Sequence, residues 1–304
     1  MKHHIPIKRS QAFLIEHVPL FIKNSKGEYV LYKSENIKLD RALYTDKTLP
    51  DLFICKDDRE IAVAEIQEAL NIELYHQIRS QGLYKIKAVL NEIVKEAFLN
   101  PLDGGLDRLP ETIEIMFEGY FTEPRFLKTL AEITRDNYCI AEHSVNVMVF
   151  ALNYCIYAGF SEDDIKRLST GALLHDIGKT QIPDPLACAD YPLSDEEFDV
   201  YKTHTSLGYD LLKQSGKFDA STARSALEHH ERIDGSGYPR GISNVSREGQ
   251  LIGIIDDFEF LTFREKSYRK AQKPFDAMSK LKNELLQKGK FSRTIFADFC
   301  RSLG

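Results

Sequence analysis

Paired cysteines are the first thing missing. Cys55, Cys139, Cys155, Cys188 and Cys300 are scattered, odd in number and contain no C-x-x-C pair. That excludes a disulfide framework and a thiolate zinc centre, and it points to a reducing cytoplasm. The opening MKHHIPIKRSQ carries no apolar signal-peptide core, which again leads to the expectation of a cytoplasmic protein. The longest apolar stretch, VNVMVFALNYCIYAGF, holds two asparagines and falls short of the ~20 residues a membrane-spanning helix needs, so it reads as a buried core helix and no membrane span is expected. A basic excess is absent too: 40 Lys and Arg face 46 Asp and Glu, a formal net charge of −6. This argues against a general nucleic-acid binder. It leaves small anionic ligands open, because a local metal or Lys/Arg cluster can oppose the overall sign.

What is present is ordinary in bulk and specific in detail. The 304 residues, 43% hydrophobic and 28% charged, suit a soluble globular protein of one large or two modest domains. AFLIEHVPLFIKN and EYVLYKSENIKLD are rich in β-branched and aromatic residues and flank a hairpin-like SKG. DLFICKDDREIAVAEIQEAL reads as a strand, a charged turn and a helix start. Three- and four-residue apolar spacing then predicts helix from Ile72 to Ala97, broken by the Pro and Gly of NPLDGGLDRLP. Beyond Glu111 the chain reads as helices with marked ends. Gly159 closes one, Ser161 with Asp164 caps the next, Ser194 with Glu197 opens a helix through Gln214, and Pro274 suits a first turn. The expected class is an α+β N-terminal module (1–72), a helical connector (73–124) and an all-α domain with a metal site (125–304).

The histidines after His76 fall in suggestive places: His143 in AEHSVNV, His175 beside Asp176 in LLHDIGKTQIPDP, His204 in YKTHTSLG, and His229 with His230 opening HHERIDGSGYPRG. Asp256 sits in the apolar run LIGIIDDFEFLT, where a carboxylate is costly unless paired or bound to metal. A single histidine of this kind is commonly a hydrogen-bonded core residue; the set is what carries information. Adjacent helical side chains point ~100° apart. A neighbouring His-Asp pair therefore serves two ions more easily than one, the carboxylate bridging them, and His229 and His230 can both reach a metal if the backbone turns after them. Five imidazoles and two carboxylates supply a two-metal site with positions open for water, and the donor set suits iron, manganese or zinc.

The same residues resemble a known family. HD followed by IGK, with an upstream histidine and a downstream aspartate, is similar to the HD superfamily of metal-dependent phosphohydrolases. HHERIDGSGYPRG resembles the HD-GYP signature HHE-x-x-D-G-x-G-Y-P-x-G at every fixed position, and the likeness runs from about Asp136 to the end. The resemblance implies an HD-type helical domain that hydrolyses cyclic di-GMP to the linear dinucleotide or GMP, using two divalent ions, most often iron or manganese. It implies that His143, His175, Asp176 and Asp256 hold one metal, that Asp176 bridges, and that His204, His229 and His230 hold the other. Asp257 is a rival to Asp256 but matches a variable position of the family. Cys139 stands where some relatives carry a glutamate for a third ion, so two are expected. Asp176 and Lys179 would be catalytic, and Lys179, Tyr238, Glu259, Lys266 and Arg269 would contact substrate, with Glu259 and Lys266 replacing the family's Asp and Arg. A diguanylate cyclase or other signalling protein is a candidate partner for the Gly-Tyr-Pro loop, whose turn Asp234 would fix. Also open are a cyclic-dinucleotide receptor without turnover and a phosphohydrolase for another nucleotide.

Overall fold

A computed structural model describes residues 3–45, 47–80, 82–122, 127, 130, 140–263, 265, 267 and 269–304. The N-terminal module contains strands β1 (His4–Ile7), β2 (Leu20–Lys23), β3 (Tyr29–Lys33) and β4 (Leu52–Cys55), with a short helix α1 (Arg9–Ala12) after β1. They form one antiparallel sheet in the order β1-β4-β2-β3. The expected hairpin is β2–β3: Asn24 Oδ1 accepts the N–H groups of Lys26 and Glu28, each at 2.9 Å, and folds the turn around SKG. Strand β1 escaped local reading because it is four residues long and its partner β4 lies some fifty residues away. The sheet buries Leu20, Leu52 and Ile54 against Ala62 and Ile66 of helix α2 (Arg59–Arg79).

Position 72 lies inside α2, so the helix that covers the sheet continues into the connector. The single helix expected over 72–97 is two: α2 ends before Ser80, and α3 runs Leu83–Leu99. Ser80 Oγ donates to the Gln77 carbonyl and Gly82 N–H to the same carbonyl, closing the first helix before the second begins.

Helices α4 (Leu109–Thr122), α5 (Ile140–Tyr157), α6 (Glu162–Leu174), α7 (Asp184–Ala187), α8 (Asp195–Lys202), α9 (His204–Ser215), α10 (Ala220–Glu228), α11 (Arg247–Phe263), α12 (Pro274–Lys288) and α13 (Arg293–Ser302) complete the described fold. The apolar stretch read as a core helix is α5, and it packs against α3, α6, α11 and α13. Val145, Met148, Ala151 and Leu152 of α5 are wholly inaccessible. Next to His143, Glu142 is buried 3.7 Å from the equally buried Lys87 of α3, which ties the connector to the start of α5. Among the described residues no helix is long and apolar enough to cross a membrane.

The Ser194–Glu197 capping box is present in both directions, but its helix stops at Lys202 and a new one starts at His204. The break follows from packing. Between α6 and α7 the chain makes a 3-10 turn, Ile177–Gln181, that lies against the start of α9. A Cβ on Gly178 would stand 1.9 Å from the His204 carbonyl oxygen and 2.5 Å from the Gly208 nitrogen. Only a glycine lets those two backbones touch. Gly178→Ala is therefore expected to destabilise the protein by roughly 1–3 kcal/mol through overpacking; an unchanged thermal midpoint would show that this contact is not close in solution.

Candidate metal centre and active site

The seven expected ligands come from helix ends and helix interiors that the core brings together. His143 sits in the first turn of α5, and Asp256 lies within α11. His175 is the C-cap of α6, and Asp176 precedes the 3-10 turn, so the pair sits where the backbone changes direction. His204 begins α9; His229 and His230 follow α10. His175, His204 and His229 are fully buried, Asp176 nearly so, and His230 is the most open of the set.

Asp176 is at the centre. Its Oδ2 is 3.4 Å from His143 Nε2 and 3.6 Å from His175 Nε2, while its Oδ1 is 3.4 Å from His204 Nε2 and 3.7 Å from His229 Nε2. Asp256 closes the first side, Oδ1 lying 3.1 Å from His143 Nε2, and its Oδ2 is 3.8 Å from His230 Nδ1. One group of donors able to converge on a cation is His143, His175 and Asp176; another is Asp176, His204, His229 and His230. A third, His175, His229 and Asp256, runs across the two.

The tautomers explain why these nitrogens face one another. His175 Nδ1 donates to the Ala172 carbonyl at 2.7 Å, His204 Nδ1 to Tyr201 at 2.6 Å, and His229 Nδ1 to Ala226 at 2.9 Å. His143 Nδ1 is 2.7 Å from Glu259 Oε2. With the proton committed on Nδ1, a neutral ring presents a lone pair at Nε2. Yet His143 and His175 bring their Nε2 atoms to 3.1 Å, and His204 and His229 to 3.3 Å. Asp176 Oδ1 and His230 Nε2 are buried without a hydrogen bond. Ring nitrogens and carboxylate oxygens crowded together, with buried acceptors left over, fit divalent cations.

Charge follows the same pattern. Burial pushes the His175 imidazolium down to about 4 and the His204 imidazolium down to about 3, and it drives His230 well below its ordinary value, so these rings are neutral. Burial also opposes charge on His143, but Glu259 and Asp256 against its two nitrogens hold it up to about 10. Asp176 stays ionised: burial works against it, and Lys179, His175 and the other imidazoles more than compensate. Lys179 is itself buried, with Nζ 2.5 Å from Asp176 Oδ2 and over the Tyr201 ring, and Asp176 raises it against burial. It is not a solvated helix-end lysine.

Two residues expected to contact substrate have partners within the chain. Glu259 is fully inaccessible behind His143; its second oxygen accepts from Asn146 Nδ2 at 2.7 Å, so its carboxylate is held between those two side chains. Arg269 donates to the carbonyls of Phe260, Leu261 and Lys270 and lies over the Phe260 ring, which commits its guanidinium to the end of α11. Lys266 and Cys139 lie outside the described residues. Asp257 faces away from the cluster and pairs with Arg232 at 2.8 Å, whereas Asp256 faces in.

The Gly-Tyr-Pro loop is held beside the histidines. Tyr238 stacks on His230 with ring centroids 4.6 Å apart, and its N–H donates to the His230 carbonyl. Asp234 accepts from Ser236 N–H and hydroxyl and fixes the turn as expected. A Cβ on Gly237 would meet the His230 carbonyl oxygen at 2.4 Å, so a glycine is required where the loop doubles back. Two clamps were not legible as such. Glu231 accepts the Arg240 and Ile242 N–H groups, and Glu228 accepts Arg240 Nη2 and the Ser246 N–H. Tyr201 and Asn146 also escaped notice. Asn146 stands three residues after His143 on the same helix face, which is the one signal it offered.

Comparison with known proteins agrees with this geometry. The family described as HD domain matches residues 128–293, more than half of the chain. A "Cyclic di-GMP phosphodiesterase" of Thermotoga maritima is 30% identical over 233 residues, 74% of this chain and 59% of the relative. A "3'3'-cGAMP-specific phosphodiesterase 3" of Vibrio cholerae is 33% identical over 138 residues, 45% of this chain and 29% of the relative. The chain thus spans less than two thirds of the length of these relatives. The solved structure of Bd1817, an HDG"Y"P protein from Bdellovibrio bacteriovorus, superposes with a TM-score of 0.65 over 99% of both chains at 18% identity, a likeness of fold. With the HD domain match over most of the helical part and the HHE-x-x-D-G-x-G-Y-P-x-G stretch set against the histidine cluster, the chain belongs to the HD domain family, in its HD-GYP branch.

Proposed function

We propose that this protein is a metal-dependent phosphodiesterase that opens cyclic di-GMP to the linear dinucleotide or GMP. The observation that carries the reading is the Asp176 carboxylate, with one oxygen toward His143 and His175 and the other toward His204 and His229. His143, His175, Asp176 and Asp256 would hold one ion and Asp176, His204, His229 and His230 the other, iron or manganese by the family resemblance. Two such ions supply charge neutralisation for a phosphodiester and acidify a water. The chain's own part is to fix the donors, to keep Lys179 charged beside Asp176 where a phosphate oxygen gathers charge, and to present the Tyr238 ring and hydroxyl at the edge of His230. The printed names of the Thermotoga relative and of others support the substrate. The Vibrio cholerae relative's name favours testing a second cyclic dinucleotide, 3'3'-cGAMP, beside it. The deciding experiment is metal analysis after anaerobic reconstitution, then incubation with each dinucleotide and chromatography of the products. Bound metal with no product from either would replace hydrolysis by a receptor role.

Three variants test the residue roles. Asp176→Asn should lose or disorder metal and abolish hydrolysis; full activity contradicts a shared carboxylate. Glu259→Gln should weaken metal binding by about 10–100-fold, as loss of a ligand's orienting partner commonly does; unaltered affinity in a metal titration removes it from that role. Tyr238→Phe should lower turnover roughly tenfold, the worth of one hydrogen bond to an anion, with metal content unchanged. Metal loss there would mean that the tyrosine supports the ligands and not the substrate.

A further inference from the structure

Helix α8 (Asp195–Lys202) buries none of its side chains. Its two aromatic residues, Phe198 and Tyr201, belong to neither hydrophobic cluster of the described residues. They are turned to the metal centre instead. The Tyr201 ring packs on His204 with centroids 4.9 Å apart, and the Lys179 ammonium lies over it at 5.1 Å. Phe198 stands one turn earlier on the same helix face, its ring within 14° of parallel to that of Tyr201 and 6.3 Å from it. From the other side Tyr238 meets Phe198 edge-on at 5.7 Å and stacks on His230. Tyr201, Phe198 and Tyr238 thus form an arc of rings from Lys179 round to His230. Tyr201 and Tyr238 are half-buried, whereas Phe198 is 40% exposed. A scattered exposed apolar side chain is ordinary. This one is joined ring to ring with two groups of the site.

We propose that Phe198 is the stacking surface for a purine of the cyclic dinucleotide, and so a substrate-positioning residue of this site. The inference rests on the cyclic-dinucleotide reading above. Such a ligand is a closed ring of two riboses and two phosphodiesters, with a purine on each ribose. When one phosphodiester lies at Asp176, the purine of the adjoining ribose lies beside the cluster, one sugar away. The arc supplies flat apolar surfaces there, and Phe198 is its member most open to solvent. Lys202 Nζ lies over the Phe198 ring at 5.1 Å and pairs with Asp199 at 2.6 Å. That is an exposed cation–π contact on a flexible stem, weaker than the stacking of a base, so a purine displaces it. The freed ammonium stays beside an anionic ligand. Stacking is tolerant of base identity, since every base has a flat face. Phe198 therefore grips the substrate without choosing between guanine and adenine.

The rival role is mechanical: Phe198 would only brace Tyr238 through their edge-on contact. The two roles differ in what can replace the ring. In the metal-loaded full chain, Phe198→Ala should raise KM for cyclic di-GMP and for 3'3'-cGAMP by roughly tenfold each, the worth of one stacked base. Turnover number, metal content and thermal midpoint should not change. Phe198→Tyr should keep the affinity of the wild type, and Phe198→Leu, apolar without a ring, should lose it. Equilibrium binding of the bis-phosphorothioate analogue of cyclic di-GMP should follow the same order, which reads the contact apart from hydrolysis. If the wild type binds the analogue yet hydrolyses neither dinucleotide, the hydrolytic reading fails while the order of the Phe198 variants still decides this one. A leucine variant as good as the wild type, a tyrosine variant as poor as alanine, or an alanine variant that binds normally overturns the proposal. So does an alanine variant that loses turnover number or metal, or a wild type that binds no cyclic dinucleotide.

Discussion

Buried imidazole nitrogens and carboxylate oxygens crowded against one another are the constraint on which the rest of this structure depends. Four imidazole Nε2 atoms, two carboxylates and a further histidine are gathered where water is excluded. In a low-dielectric interior such an arrangement is costly unless positive charge sits in its middle. In the chain by itself Lys179 and a proton on His143 supply part of that charge. Divalent ions would supply it more fully, and the ring nitrogens already face inward.

The surrounding structure reads as the means of holding that arrangement. Backbone carbonyls one turn before His175, His204 and His229 fix the tautomer of each, and Glu259 does the same for His143 while Asn146 holds Glu259. These are hydrogen bonds made at helix ends, where carbonyls lack intrahelical partners, and so the ligands cluster at the ends of α6, α8 and α10. The absence of a side chain at Gly178 lets the turn after Asp176 lie on the backbone that carries His204. Stability and site geometry are therefore set by the same contacts.

On the open side the cluster passes into the Gly-Tyr-Pro loop, with Tyr238 stacked on His230 and the loop's return clamped by Glu228 and Glu231. Those two glutamates flank the paired histidines in sequence and bind the loop's far end, so ligand position and loop position move together. The run of thirteen residues from His229 to Gly241 is thereby tied together by its own contacts. Its acids serve the backbone, its histidines face the buried cluster, and its tyrosine faces the approach.

Much of this was legible in the chain. Periodicity and caps marked α5, α6 and the start of α8, because hydrophobic spacing and N-cap chemistry are local. Histidines and aspartates far apart in sequence, together with the family resemblance, marked the seven candidate ligands. The sequence determined which side chains could form the centre. Only the tertiary structure decided how they face: that Asp176 turns one oxygen to each histidine pair, that Glu259 lies behind His143, and that Arg269 bonds the carbonyls at the end of α11. The reason is physical. Orientation at a helix end, the closeness of two backbones at a glycine, and the choice of hydrogen-bond partner for a buried acid depend on contacts between segments a hundred residues apart, which no local pattern encodes.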